Sequence, residues 1–324
     1  MSINLSKLSK KLICVTIGDI EGIGIRLLLK EFKEKKIKDF ILISNVNIFK
    51  KYIEFPESKI NIIDGENFNN YNKNKLNIYS FKTKNKNTNT IDALDYAYKF
   101  TKNKIFIGIL TLPLNKYKLN KSVSKNFIDQ TSYFSNKEGQ KYGNMIFYHE
   151  NKFFIPLTIH IELKKVHKQF KNKILMVKKI ENLYSTLIND FKIQNPKIIL
   201  SGINPHAGEN KIISKDDEKY LLPIINDLQK KNILIDGPIS GDGVINSLNL
   251  KKYNVFIFTF HDQALIPFKI LSNYEGVNFT SNLNIIRVSP SHGTAENLVG
   301  SKKIISKGII NCFNLIKTIK KNRS

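Results

Sequence analysis

The sequence predicts an α/β protein built on a largely parallel sheet, and three observations predict it. Short, almost wholly apolar runs recur along the 324 residues, stretches with helical spacing separate several of them, and turn-forming residues bound the runs. Strands buried on both faces of a parallel sheet are apolar throughout rather than alternating, which is the form these runs take. At this length two packed domains are expected, and a 41% hydrophobic share suffices for a sizeable core.

Taken in order, LICVTI at 12–17 is the first expected strand. It leads into the Gly-rich stretch VTIGDIEGIG at 15–24 and then into IRLLLKEFKEK at 25–35, whose apolar spacing is helical. FILIS at 40–44 is the next strand. The polar, biased segment 70–90 is expected to be a solvated loop with room for one edge strand. IFIGIL at 105–110, FFIPLTIHI at 153–161, KIILSGI at 197–203 and VFIFTF at 255–260 complete the strand runs. Helical spacing returns in ENLYSTLINDF at 181–191 and DDEKYLLPIINDLQKK at 216–231. No repeat of fixed period is present.

A formal net charge of +25 invites a nucleic-acid or anionic-membrane partner. The lysines, however, are spread almost everywhere and accompany equally heavy use of Asn and Ile, which we attribute to codon drift toward A and T. Without Arg-rich or aromatic-interleaved basic blocks, no specific nucleic-acid partner is expected. No apolar run approaches the roughly 18 residues that span a bilayer. The first residues pass directly into a strand-like run without a small-residue cleavage site, so no membrane association and a cytoplasmic location are expected. Cys14 and Cys312, at opposite ends and within apolar stretches, are expected to be buried free thiols, not a disulfide framework or a metal site.

Three of the six histidines, His160, His206 and His261, follow or end strongly apolar runs. Ligands of open α/β sheets bind at the carboxyl ends of strands, so these residues, distant in sequence, can converge on one cleft. Neutral imidazoles ligate divalent first-row metals, and three protein ligands leave a position for substrate. A histidine at a strand end can equally be held by a backbone hydrogen bond; His149, in a YHEN turn, and His167, in a basic helical stretch, illustrate that alternative. In NPHAGEN at 204–210, Pro205 stiffens the approach to His206, while Ala207 and Gly208 leave room for a ligand near the backbone. FTFHDQA sets Asp262 beside His261, where a carboxylate can orient a ligating imidazole.

NPHAGE, FHDQ and SHGTA occur in an order and spacing that resembles the 4-hydroxythreonine-4-phosphate dehydrogenase family. The resemblance runs from VTIGDIEGIG through LTLPLNK at 110–116 to the C-terminal helix, and the Gly-rich turn is not the GxGxxG dinucleotide fingerprint. It implies two α/β/α domains of the isocitrate/isopropylmalate dehydrogenase type with a cleft between them: 1–125 with 272–324, and 126–271. It implies His160, His206 and His261 as ligands of a divalent metal (zinc, magnesium, cobalt or manganese), the third coming from the partner in a homodimer with a shared active site.

By the same resemblance Gln130, Thr131, Lys269, Asn278 and Arg287 contact substrate, Lys269 and Asp242 are catalytic candidates, and Lys116 is a further motif position. His292, Gly293, Thr294, Ala295 and Asn297, in SHGTAENLVG at 291–300, match the loop with which isocitrate-like dehydrogenases hold the adenosine of their nucleotide. The activity implied is metal-dependent oxidation of a phosphorylated hydroxy amino acid by NAD or NADP to a β-keto acid that decarboxylates, a step of vitamin B6 biosynthesis. Gln130 stands where the family usually has histidine, Ser132 and Ser291 replace acidic residues, Ile20 and Glu21 replace proline and alanine, and Asn297 replaces an aspartate. These departures keep two rivals in view: a dehydrogenase of threonate or erythronate phosphate, and a non-catalytic basic binding protein.

Overall fold

The computed structural model describes residues 11–324 apart from 67, 123–126 and 302–304. The opening residues 1–10, on which the reading of the chain start partly rests, lie outside the described residues. The chain forms two compact units: 1–129 with 284–322 and 324, and 130–283 with 323.

In the first unit six parallel strands run in the order β3-β4-β2-β1-β5-β12. They are β1 (Ile13–Thr16), β2 (Phe40–Ile43), β3 (Ile60–Asp64), β4 (Leu76–Ser80), β5 (Ile109–Thr111) and β12 (Arg287–Pro290). β1 and β2 are buried at every residue, as their continuous apolar runs require. The helix Ile23–Lys33 follows β1, and the helix Lys307–Asn322 buries Cys312 and Phe313, the latter edge-on to Phe40 at 5.6 Å. Cys14 and Cys312 are both buried and free.

Two expectations need correction here. The run at 105–110 becomes a strand only from Ile109, its first residues lying in bends. The segment 70–90 is not a solvated loop with an edge strand: it contains β4, which lies between β3 and β2, and from Lys86 the helix Lys86–Lys102. The reason is asparagine chemistry. Asn77, almost wholly buried, donates to the carbonyls of Asn72 and Lys75 and accepts from Asn61 Nδ2 and the Asn72 amide, so a polar residue lies in the sheet with its amide satisfied. Asn85 caps the next helix in a capping box with Thr88, and Asn45, Asn172 and Asn246 cap other helices.

The second unit has the strand order β11-β6-β7-β10-β8-β9. These are β6 (Met145–His149), β7 (Lys152–Thr158), β8 (Ile198–Ser201), β9 (Ile235–Ile239), β10 (Val255–Phe260) and β11 (Val277–Thr280). β7, β10, β8 and β9 are parallel; β6 pairs antiparallel with both β7 and β11. The core packs Phe147, Phe154, Phe256, Phe258 and Phe268, with Phe154 stacked on Phe256 at 5.2 Å. The helix Lys173–Asn189 contains the expected 181–191 stretch, and 216–231 forms a π-helical turn at Asp217–Leu221 followed by the helix Leu222–Gln229. Among the described residues no helix is long and apolar enough to cross a membrane.

Candidate active site

β7, β10 and β8 are neighbours in the second unit, and each hands the chain to one of the three histidines at its carboxyl end. His160 lies two residues beyond β7, with φ at +52°. His261 is the first residue of the helix His261–Ser272, directly after β10. Their rings lie 5.5 Å apart between centroids, inclined at 41°, a separation that two imidazoles on one ion can have. The Asp262 carboxylate sits 2.8 Å from His261 Nδ1. A carboxylate accepts, so Nδ1 donates and Nε2 is left with its lone pair outward.

His206 is placed by a different device. After β8 the chain turns through six consecutive residues of positive φ, His206 to Lys211, with φ between +43° and +83°. Each non-glycine residue there costs on the order of 1–2 kcal/mol, so the surroundings must impose the turn. Buried Asp217 contributes: it accepts from the Ile203 amide at 2.6 Å and the Asn204 side chain at 2.8 Å, fixing the entry. Gly208, at φ +83°, lies so close to the Ser214 carbonyl that a Cβ would sit 2.4 Å from its oxygen. Asp242, accepting from the Ser240 hydroxyl, faces this turn; that bond, its own and the Gly243 amides, and the charge of His206 hold its carboxyl below the usual range.

Gln263, the third residue of HDQ, has a role the motif did not reveal. Its Oε1 accepts from Ser201 Oγ at 2.8 Å, the Thr259 amide at 3.0 Å and Thr259 Oγ1 at 2.9 Å, while Nε2 donates to the Gly202 carbonyl at 3.1 Å. It therefore staples the carboxyl ends of β8 and β10, from which His206 and His261 depart. Neither Gln263 nor Asp217 carried a local signal, since their importance lies in bonds to residues distant in sequence.

Other expected positions divide between the units. In the second, Gln130 begins the helix Gln130–Lys137, buried Thr131 faces Thr280 across 3.3 Å, and Lys269 is exposed two turns along the helix that His261 begins. Asn278, on β11, has a buried Oδ1 that no hydrogen bond satisfies. In the first unit, Arg287 is fully buried on β12 and donates to Thr111 Oγ1 through Nε at 3.0 Å and Nη2 at 2.6 Å. Burial pushes its guanidinium down to about 10, with Asp129 acting in the opposite direction. Beyond β12, Ser291 Oγ and His292 Nε2 are buried without hydrogen-bond partners. Thr294 passes its carbonyl to the Ile23 amide, Ala295 is left-handed, and Gly293 and Asn297 are exposed.

These residues can be tested against the groups they are expected to hold. The bare His292 Nε2 and Ser291 Oγ fit a polar ligand at the 291–300 loop, because a buried polar atom left unpaired carries a desolvation cost that a ligand removes. His160 and His261 supply imidazole donors suited to a divalent first-row metal. Among the described residues of one chain, however, no three His, Cys, Asp or Glu side chains gather closely enough to hold an ion. His160 and His261 are the two of the three imidazoles that lie ring to ring.

With this geometry in place, known proteins supply a match. The family model of the pyridoxal phosphate biosynthetic protein PdxA covers residues 36–316. The 4-hydroxythreonine-4-phosphate dehydrogenase of Aquifex aeolicus is 34% identical over 212 residues, an alignment spanning 65% of each chain. That of a Hydrogenobaculum species is 30% identical over 92% of this chain and 96% of its own. In fold, the crystal structure of the Klebsiella pneumoniae 4-hydroxythreonine-4-phosphate dehydrogenase superposes with a TM-score of 0.76 at 23% identity, covering 96% of this chain and 99% of that one.

Proposed function

Because the chain belongs to the family of the pyridoxal phosphate biosynthetic protein PdxA, we propose that it is a 4-hydroxythreonine-4-phosphate dehydrogenase working as a homodimer with a divalent metal and NAD or NADP. The observation that carries the reading is the placing of His160, His261 and His206 at the carboxyl ends of three neighbouring strands, two of them already paired at 5.5 Å.

When bound, the metal would supply Lewis acidity toward the substrate's secondary alcohol and the nicotinamide would supply the hydride acceptor. The chain's own residues bind and orient. Lys269 is the cation for the phosphate of 4-phosphohydroxy-L-threonine. Thr131 and Gln130 add neutral hydrogen bonds, and the bare Asn278 Oδ1 is an acceptor suited to the substrate's ammonium group. Asp242, kept ionised by Ser240, is the carboxylate available to take the hydroxyl proton. Loss of the hydride and that proton leaves a β-keto acid; its C–C bond to the carboxylate breaks to release carbon dioxide, and the electron pair left at Cα takes a proton from solvent to give 3-amino-2-oxopropyl phosphate. The dianionic substrate does not cross a bilayer unaided, so the reading places the enzyme in the cytoplasm.

Ile266 and Ile270, one turn apart and 62% and 75% exposed on the helix that His261 begins, support dimerisation. The resemblance makes His261 the residue lent by the partner; its closeness to His160 in one chain favours the alternative in which the second copy supplies His206. Mixed-subunit assays separate the two arrangements. With 4-phosphohydroxy-L-threonine and either nucleotide as assay, mixing His160→Ala with His206→Ala subunits should restore part of the activity, and mixing His160→Ala with His261→Ala should restore none. The opposite pattern would return His261 to the partner. Wild-type enzyme that is inactive on this substrate with every metal, yet oxidises threonate or erythronate phosphate, would overturn the substrate assignment.

A further inference from the structure

β1, β5 and β12 are adjacent parallel strands of the first unit, and the segments leaving their carboxyl ends meet around one ammonium. Lys118, on the helix Lys116–Ser122 that follows β5, lies 3.3 Å from Asp19 and 2.9 Å from Glu21 of the opening Gly-rich turn. It also lies 2.9 Å from Glu296 in the loop beyond β12. Lys86 takes the second oxygen of Glu21 at 2.6 Å, and Asn115 donates to the second oxygen of Glu296 at 2.9 Å. The backbones are in register with this arrangement: the Ile23 amide donates to the Thr294 carbonyl at 2.9 Å, and a Cβ at Gly22 would come within 2.9 Å of that same oxygen. Two segments about 270 residues apart in sequence thus touch backbone to backbone, closed by one lysine between three carboxylates.

An isolated exposed ion pair contributes little, because water screens it and two long side chains must be ordered. Here Asp19 is nearly buried, Lys118 is about a quarter exposed, and the charges form a network. Glu296 is held below the usual carboxylate range first by its bond to Lys118, and Glu21 first by its bond to Lys86. Lys118 itself stays charged: burial works against it, but Glu296, Glu21 and Asp19 raise it further. With three carboxylates against two ammoniums the cluster is one charge short of neutral, so removing Lys118 leaves carboxylates of both segments facing one another with only Lys86 between them.

We propose that Lys118 is a positioning residue, an ammonium clamp that holds the 291–300 loop against the opening turn in the shape that receives the nucleotide. The inference rests on the reading above that this loop binds the adenosine part of NAD or NADP. None of the four charged partners need touch the nucleotide; they decide where His292 and Thr294 are held.

The test joins hydrogen exchange with kinetics on the metal-loaded dimer. Lys118→Met should strip protection from the Ile23 amide and from amides of 294–299. It should raise the nucleotide KM about three- to tenfold, as loss of a networked pair implies, with kcat and the phosphorylated substrate's KM within about twofold. Lys118→Arg should restore most of the affinity, and added salt should weaken nucleotide binding in wild type more than in Lys118→Met. Glu296→Gln, which keeps an acceptor for Asn115, is the milder variant and should move both readouts in the same direction should Lys118→Met fold poorly. Unchanged protection in both variants overturns the clamp. Lost protection with an unmoved nucleotide KM overturns the placing of the nucleotide on this loop, and the proposal with it, while leaving the dehydrogenase activity intact.

Discussion

The imidazoles of His160 and His261 face one another at 5.5 Å across the ends of β7 and β10, strands paired in parallel from Val255 with Phe153 to Phe260 with Thr158. The Thr158 hydroxyl donates to the Thr259 carbonyl at 2.7 Å, locking the last rung before both histidines. The pair is therefore set by sheet register: sliding β10 by one residue would turn His261 to the other face. Four expectations follow from the parts that hold this site.

Asp262→Asn should weaken metal binding about 10- to 100-fold without unfolding the protein, because an amide cannot fix the His261 tautomer as a carboxylate does. Titration of the metal-free dimer with zinc or cobalt measures this. Affinity equal to wild type would mean that Asp262 does not orient the ligand.

Gln263→Leu removes a side chain that makes four hydrogen bonds to Ser201, Thr259 and Gly202 and leaves partly buried groups unpaired. A cost of about 2–4 kcal/mol is expected, read as a lower melting temperature together with reduced metal content. Wild-type stability would show that water takes over the bonds.

Gly208→Ala places a Cβ against the Ser214 carbonyl in a left-handed backbone position. The cost should be at least about 1–2 kcal/mol, and the loss of metal affinity should exceed that of Ala207→Gly, which relaxes the same turn. Equal metal binding in the two variants would remove the left-handed turn from the account of His206.

His292 is held below the ordinary imidazole range by burial, opposed by the hydrogen bond of Nδ1 with the Gly293 carbonyl. As pH falls through the ordinary imidazole value near 6.5, the unfolded chain takes up a proton that the folded chain resists. Stability should accordingly be full above that value and decline as the solution is acidified below it. His292→Gln should flatten this decline in thermal melts between pH 7 and 5. An identical slope in the variant would assign the acid sensitivity elsewhere.

The sequence alone determined what depends on local pattern. Continuous apolar runs announced β1, β2, β7, β8 and β10, because a strand buried on both faces must be apolar at every residue, and the histidines at their ends came with them. β3, β6, β9, β11 and β12 were not legible, β4 was foreseen only as an edge strand, and the run holding β5 was started too early. Asn77 and Asn61 in the first unit and Asp236 and Gly237 in β9 break the apolar pattern, and their places are settled by partners elsewhere in the chain. The same reason hid the supports of the site. Gln263 as a staple, Asp217 under the His206 turn and Lys118 between Glu21 and Glu296 are ordinary polar residues in sequence. Their energies arise only when segments tens to hundreds of residues apart are brought within hydrogen-bond distance, where desolvation makes each unpaired group costly and each matched one decisive. That the ends of β7, β10 and β8, with their histidines, lie side by side was likewise decided only by the tertiary structure, which lays β10 between β7 and β8.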